Sequence, residues 1–384
     1  MTKSYDLIVV GAGSIGVPVA LEFAKNGQSV LVIDSFASPG QGQDKKAIGG
    51  IRATHSEKGK IAVCRRSIEI FSHWKEMYGE DIHWKSNGYS FPAYTEAHEQ
   101  LLKDGINVQK EYGLNIRWLS AEDYRELNPG INMNGLRGST YSPEDGSASP
   151  LLFIHSAYFN AVEHGAEFRF NETVTGFSVR KNRIDSVITN KGRYASSNVL
   201  NAAGSSARAI SNMAGIDIPV DPDCHEAGIT EPVKSFMGPM VVDMREDVGS
   251  KNFYFYQNAI GHVVFCLTPQ PSIWGTDSRA TSVFLPRIAR RMIAIMPMLK
   301  NLKVRRTWRG QYPMTPDGFP IIGRMTEPDN LYQAVGMCGQ GFMLGPGTAE
   351  LMFRAVTGDV GPDDTEILRS FDLCRDFACE ELYK

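Results

Sequence analysis

The hydrophobic pattern opens with an apolar run at residues 5–10, dense enough to predict a strand buried on both faces. Residues 15–26 then carry apolar side chains at helical spacing, and Gly27 sits where a C-cap belongs. Residues 29–33 predict a second buried strand. The stretch 35–54, rich in Gly, Ser and Lys, is too polar for a core element and reads as a loop laid over a ligand. Residues 58–78 predict an amphipathic helix with Ile61, Cys64, Ile68, Phe71, Trp74 and Tyr78 on one stripe. A strand at 88–94 and a helix at 96–112 follow. Ser120-Ala121-Glu122-Asp123 has a capping-box pattern and opens a short helix that stops before Pro129.

Ser149 as N-cap, Pro150 in the first turn and Gly165 past the end frame a helix at 150–164. Alternating runs at 168–170, 173–179, 184–189 and 193–195, joined by turn-like Lys181-Asn182 and Asn190-Lys191-Gly192, predict a β-meander. The apolar run 199–203 reads as a separate return to the parallel sheet. Strand patterns recur at 228–231, 240–243, 252–257 and 262–267, before a helix at 284–296 ended by Pro297. A strand at 331–335 leads into the glycine-rich turn 336–341 and a last helix at 348–357 closed by Gly358. The predicted class is α/β (α+β). Segments 1–85, 150–215 and 310–360 form a discontinuous Rossmann-like nucleotide-binding domain. It is interleaved with an antiparallel-sheet substrate domain at 86–149 and 216–309, and 361–384 is a C-terminal tail.

Composition narrows the function. With 384 residues, 42% apolar and 22% charged, the chain is globular, and its net charge of −3 argues against a nucleic-acid surface. Its apolar runs are strand-length, so no membrane span is expected. The first strand begins too early to leave room for a signal peptide, and a cytoplasmic location is expected. Six cysteines lie scattered without metal-ligand spacing and read as reduced thiols, with no structural metal.

The strongest chemical signal is Gly11-Ala12-Gly13-Ser14-Ile15-Gly16, between the first strand and helix. Gly11 permits the tight turn, Gly13 the approach of a pyrophosphate and Gly16 close helix–strand packing. The helix N-terminus favours phosphate. Asp34 ends the second strand 18 residues after Gly16 and suits a ribose diol. NAD and FAD both satisfy these residues. The second glycine-rich turn favours a flavin, whose reduction leaves charge that backbone N–H groups stabilise.

The interleaved order, with Gly49-Gly50-Ile51-Arg52, Asn201-Ala202-Ala203-Gly204, His225-Glu226-Ala227, Met314-Thr315-Pro316-Asp317 and Gly336 to Gly341 with Phe342, resembles the FAD-dependent amino-acid oxidoreductases. These are the glycine oxidase, sarcosine oxidase and proline dehydrogenase group, and the catalytic subunits of archaeal-type proline dehydrogenases look most similar. The resemblance implies a cofactor set of Gly11, Gly13, Ser14, Ile15, Gly16, Asp34, Ser35, Gly49, Gly50, Arg52, Val174, Ala203, Gly204, Gly310, Gly339, Gln340, Gly341, Phe342 and Met343. It implies Arg52, Tyr254, Tyr312 and His225 as the residues that meet the substrate.

Departures sharpen that picture. Gly310 stands where monomeric sarcosine oxidases carry the cysteine that links FAD, so a non-covalent FAD is implied. Phe265 matches their oxygen-activating lysine, Met343 their carboxylate-binding lysine, and Gln340 the usual histidine of the late turn. The remaining pool for a substrate carboxylate is Arg52, His55, His225, Tyr254, Tyr256, Arg309 and Tyr312. The expectation is oxidation of a small amino or imino acid (proline-, sarcosine- or glycine-like) by hydride transfer to flavin N5. The enzyme is expected to be a dehydrogenase that passes electrons to a separate acceptor. The alternatives are a peroxide-producing oxidase and a flavin-bearing electron-transfer subunit with a partner subunit.

Overall fold

A computed structural model describes residues 4–383. The first strand, Ser4–Val10, lies between Val30–Ile33 and Arg193–Asn201 and is parallel to both. Covered on both faces, it needs no polar alternation, which is why its sequence reads as one apolar run. The full path is Ile321–Arg324, Leu331–Val335, Arg193–Asn201, Ser4–Val10, Val30–Ile33, Glu167–Arg169, with Val174–Arg180 and Arg183–Thr189 branching from it.

Arg193–Asn201 corrects an expectation. The predicted meander strand and the return strand are one continuous element. It pairs antiparallel with Arg183–Thr189 at one end and parallel with Ser4–Val10 along its length. Ser196 and Asn198 interrupt the apolar pattern, but both side chains donate to carbonyls of the first strand, Tyr5 and Asp6. Their polarity is thus satisfied inside the sheet.

The second sheet runs Val304–Met314, Asp221–Pro232, His262–Pro269, Ser250–Gln257, Met240–Asp243, Tyr89–Ala93, Gly138–Ser142, Arg117–Leu119. It is mixed rather than wholly antiparallel, because Met240–Asp243 and Tyr89–Ala93 run parallel. Val304–Met314 is an edge strand, and its Arg305, Arg306 and Arg309 hid it from the hydrophobic pattern. Cations on an edge are a common guard against sheet-to-sheet pairing. Its end, residues 310–314, thus sits in the second sheet rather than with the nucleotide-type segments.

The last long helix is Gly341–Thr357, starting seven residues before the expected Thr348. Gly345, Pro346 and Gly347 looked like a turn, but they serve close packing. A Cβ on Gly345 would stand 2.1 Å from the Ser14 carbonyl, and one on Gly347 2.2 Å from that of Val63. The helices Gly16–Lys25 and Lys58–Tyr78 thereby pack directly on Gly341–Thr357. Within the tail, Pro362–Ser370 is a further helix, and Arg375 and Glu381 then tie the chain back to Asp317. Among the described residues no helix is long and apolar enough to cross a membrane.

Candidate cofactor and substrate site

One cavity of about 1080 Å³ is lined by residues of both sheets. That exceeds the roughly 300–1,000 Å³ usual for a site holding one small ligand, and leaves room for a dinucleotide with a small substrate. At one end the glycine loop is as tight as the chain can make it. Gly11 has φ +110°, and a Cβ there would lie 2.5 Å from the Ala202 carbonyl oxygen. Gly16 is the one expected cofactor residue that does not line the cavity. It is the packing residue of the motif, since a Cβ would meet the Gly11 carbonyl at 1.9 Å.

Asp34 accepts the Ala12 N–H at 2.7 Å and the Phe36 N–H at 2.8 Å. Burial pushes its carboxyl above the ordinary range, and those two donors partly oppose the shift. Asp44, which the sequence reading missed inside the polar loop, is buried and accepts the Ser14 N–H at 2.9 Å. It therefore occupies part of the donor set at the first helix N-terminus.

The second donor set belongs to Gly341–Thr357. Gln340 is its N-cap but makes no side-chain cap bond, and no acidic residue stands in the first turn. The first-turn N–H groups of an uncapped helix have no partner within the helix. Gln340, Gly341, Phe342 and Met343 line the cavity there, and Gln340 Oε1 is buried without a partner. The two helix starts nearly touch: a Cβ on Gly341 would stand 3.6 Å from Ser14 Oγ. Ser35, Gly49, Gly50, Val174, Ala203, Gly204 and Gly310 also line the cavity, with Gly310 presenting bare backbone.

The other end is polar and aromatic. Tyr254 and Tyr312 join hydroxyls at 2.7 Å, and His225 stacks on Tyr312 with ring centroids 4.0 Å apart. Gly339 presses on the same ring, since a Cβ there would lie 2.3 Å from Tyr312 carbons. Arg52 is buried, donates to the carbonyls of Thr54 and Tyr383, and lies 5.6 Å from the Phe91 ring. Beside it, burial raises the Asp145 carboxyl to about 6, against hydrogen bonds from Thr54 and Ala53 and the Arg52 charge.

Four other residues do not line this cavity. His55 is fully buried next to Glu381, Tyr256 donates to the Ile48 carbonyl, and Arg309 is buried 3.9 Å from Asp277. Phe265 points into the core, stacked with Phe284. The residue this strand presents to the cavity is its neighbour Cys266, 3.7 Å from the Tyr312 hydroxyl. The strand Asp221–Pro232 likewise presents Asp223 beside His225. A period-2 reading from His225 would have found Asp223.

Fold and cavity together define a dinucleotide-binding oxidoreductase. The family model of FAD dependent oxidoreductases, DAO, matches residues 6–355, and the chain belongs to that family. It is 26% identical to the glycine oxidase of Geobacillus kaustophilus (strain HTA426), over 94% of this chain and 97% of that protein. Mitochondrial sarcosine dehydrogenase of Mus musculus is 24% identical over 91% of this chain and 39% of its own length. Among solved structures, the L-proline dehydrogenase from P. horikoshii superposes with a TM-score of 0.90 at 31% identity, covering 97% of this chain and 98% of that one. The cofactor is FAD. The residues present fit it: a glycine cradle that a Cβ would fill, an acid at the end of the second strand, and uncapped N–H donors at the late turn.

Proposed function

We propose that the chain oxidises a small amino or imino acid, proline-, sarcosine- or glycine-like, with non-covalently held FAD. The observation that carries this reading is one continuous cavity joining the glycine cradle to the cluster of Arg52, His225, Tyr254 and Tyr312. When bound, the flavin supplies an acceptor for the hydride that leaves the substrate's C–N carbon. Arg52 supplies the positive charge a buried carboxylate requires. The two tyrosine hydroxyls supply donors of fixed direction, and such positioning accounts for much of the rate in reactions of this kind. The first-turn N–H groups at 340–343, which line the cavity, would stabilise the negative charge that flavin reduction leaves.

The dehydrogenase reading is favoured by the His262–Pro269 strand, which presents Cys266, Thr268 and Pro269 to the cavity and no cation. The purified protein should be yellow and release its flavin on denaturation. Anaerobic titration with L-proline, sarcosine and glycine should bleach it, and dye reduction should exceed peroxide release in air. Bleaching by 2-hydroxy acids alone would overturn the reading. Peroxide equal to substrate consumed would make the protein an oxidase, and co-purification of an untagged chain would identify a partner subunit.

A further inference from the structure

One buried nitrogen at the polar end of the cavity has no use in the reading above. His225 Nδ1 is out of solvent and has no hydrogen-bond partner, although the ring lines the cavity. Its other nitrogen, Nε2, is 3.2 Å from Asp223 Oδ2. Asp223 is fixed in turn, because its Oδ1 accepts the Ile273 N–H at 2.7 Å. A carboxylate at Nε2 sets the tautomer: the neutral ring keeps its proton on Nε2 and leaves the lone pair on Nδ1. The stacked Tyr312 ring holds the imidazole plane.

A small amino acid reaches an enzyme as an ammonium, since alkyl amines titrate at roughly 8–10. In that form its nitrogen has no lone pair to assist departure of a hydride from the adjacent carbon. Something must take that proton before the hydride can leave. Resting on the amine-oxidation reading, we infer that His225 Nδ1 is the base that deprotonates the substrate ammonium, and that Asp223 is the positioning residue that fixes and charges it.

The step balances. One N–H bond of the ammonium breaks, its electron pair stays on the substrate nitrogen, and the proton forms a bond to Nδ1. The resulting imidazolium is held by the Asp223 carboxylate, and no oxidant or co-reactant is needed. The groups facing the ring are Asp223 on its own strand, Cys266 on one adjoining strand and Tyr312 on the other, with Tyr254 beyond the Tyr312 hydroxyl. Burial disfavours the imidazolium, but Asp223 and Cys266 outweigh it and raise the ring's basicity. Asp223 itself, although burial pushes it up, is held below its ordinary range by His225 and the Ile273 N–H. It therefore stays ionised while His225 works.

The test is stopped-flow anaerobic flavin reduction by L-proline, sarcosine and glycine between about pH 6 and 10, in wild type, His225→Gln and Asp223→Asn. General-base removal typically costs about 10²-fold or more, which is the loss expected for His225→Gln at neutral pH. That gap should shrink to a few-fold near pH 10, where solvent supplies neutral amine. Asp223→Asn should move the acid limb to lower pH and lower the plateau. Pyrrole-2-carboxylate, which has no ammonium proton, should at saturation perturb the flavin spectrum of all three proteins, showing that each still holds flavin and binds a carboxylate. Parallel pH profiles for wild type and His225→Gln would overturn the base assignment while leaving amine oxidation standing. No bleaching of wild type by any of the three amines would remove both.

Discussion

Lys60 Nζ donates to Glu381 Oε2 at 3.1 Å, and both side chains are removed from solvent. The pair joins the second long helix to the tail, and Glu381 Oε1 also accepts from Ser56 and from the Tyr383 N–H. Burial pushes the Glu381 carboxyl up, but Lys60, His55 and Arg52 hold it well below its ordinary value. Lys60→Met leaves a buried carboxylate without its main counter-charge and should cost about 3–5 kcal/mol. The Lys60→Met, Glu381→Met double variant should recover a large part of that loss. Chemical denaturation of the three proteins at neutral pH checks both.

His55 makes the same corner sensitive to acid. Burial, with Arg52 and Lys60, lowers its pKa to about 3, against an ordinary 6.5. Between those values the unfolded chain binds a proton that the folded one refuses. The stability His55 contributes is therefore full above about pH 6.5 and falls as pH drops toward 3. By pH 5 the loss should be about 2 kcal/mol. Asp145, raised to about 6, acts in the opposite direction, so the measurement is the difference between wild type and His55→Asn. The change in unfolding free energy on going from pH 7 to 5 should be less unfavourable in the variant by about 2 kcal/mol.

Gly11→Ala should empty the cofactor site without unfolding the protein. The new Cβ meets the Ala202 carbonyl in a backbone region that costs about 1–3 kcal/mol for a non-glycine residue. Relief moves the loop that cradles the pyrophosphate. The variant should keep its far-ultraviolet circular dichroism and purify with less bound flavin, read from the ratio of visible to 280 nm absorbance.

Gly339→Ala acts at the opposite end. With φ +80° and the Tyr312 ring in the way, the turn or the tyrosine must shift. We expect a rise in KM for the amine larger than the fall in flavin content. Steady-state kinetics and flavin quantification on one preparation would separate the two. An unchanged KM would place Tyr312 away from the substrate.

Much of the nucleotide-type half was legible because its signals are local. Gly11, Gly16 and Asp34 each answer to a backbone constraint within a single strand–turn–helix unit. The substrate half was harder, since its elements are defined by partners far away in the chain. Val304–Met314 is a strand because Asp221–Pro232 pairs with it, and its own arginines argue otherwise. Arg52 was visible as a charge in a glycine-rich loop, but its anchoring by the Tyr383 carbonyl, 331 residues on, left no mark on the local pattern. Phe265 and Cys266 show the finest limit: a one-residue change of register decides which of them faces the cavity.

The contact between the starts of the helices Gly16–Lys25 and Gly341–Thr357 has an electrostatic consequence. Each helix start carries about half a positive charge, and here two such ends are pressed almost together. Gly345, with no Cβ to meet the Ser14 carbonyl, permits that close approach. The buried Asp44 carboxyl accepts the Ser14 N–H beside the first of them, and that bond opposes the burial that pushes its pKa up. A cofactor pyrophosphate would bring its negative charge to helix ends that already hold one buried acid.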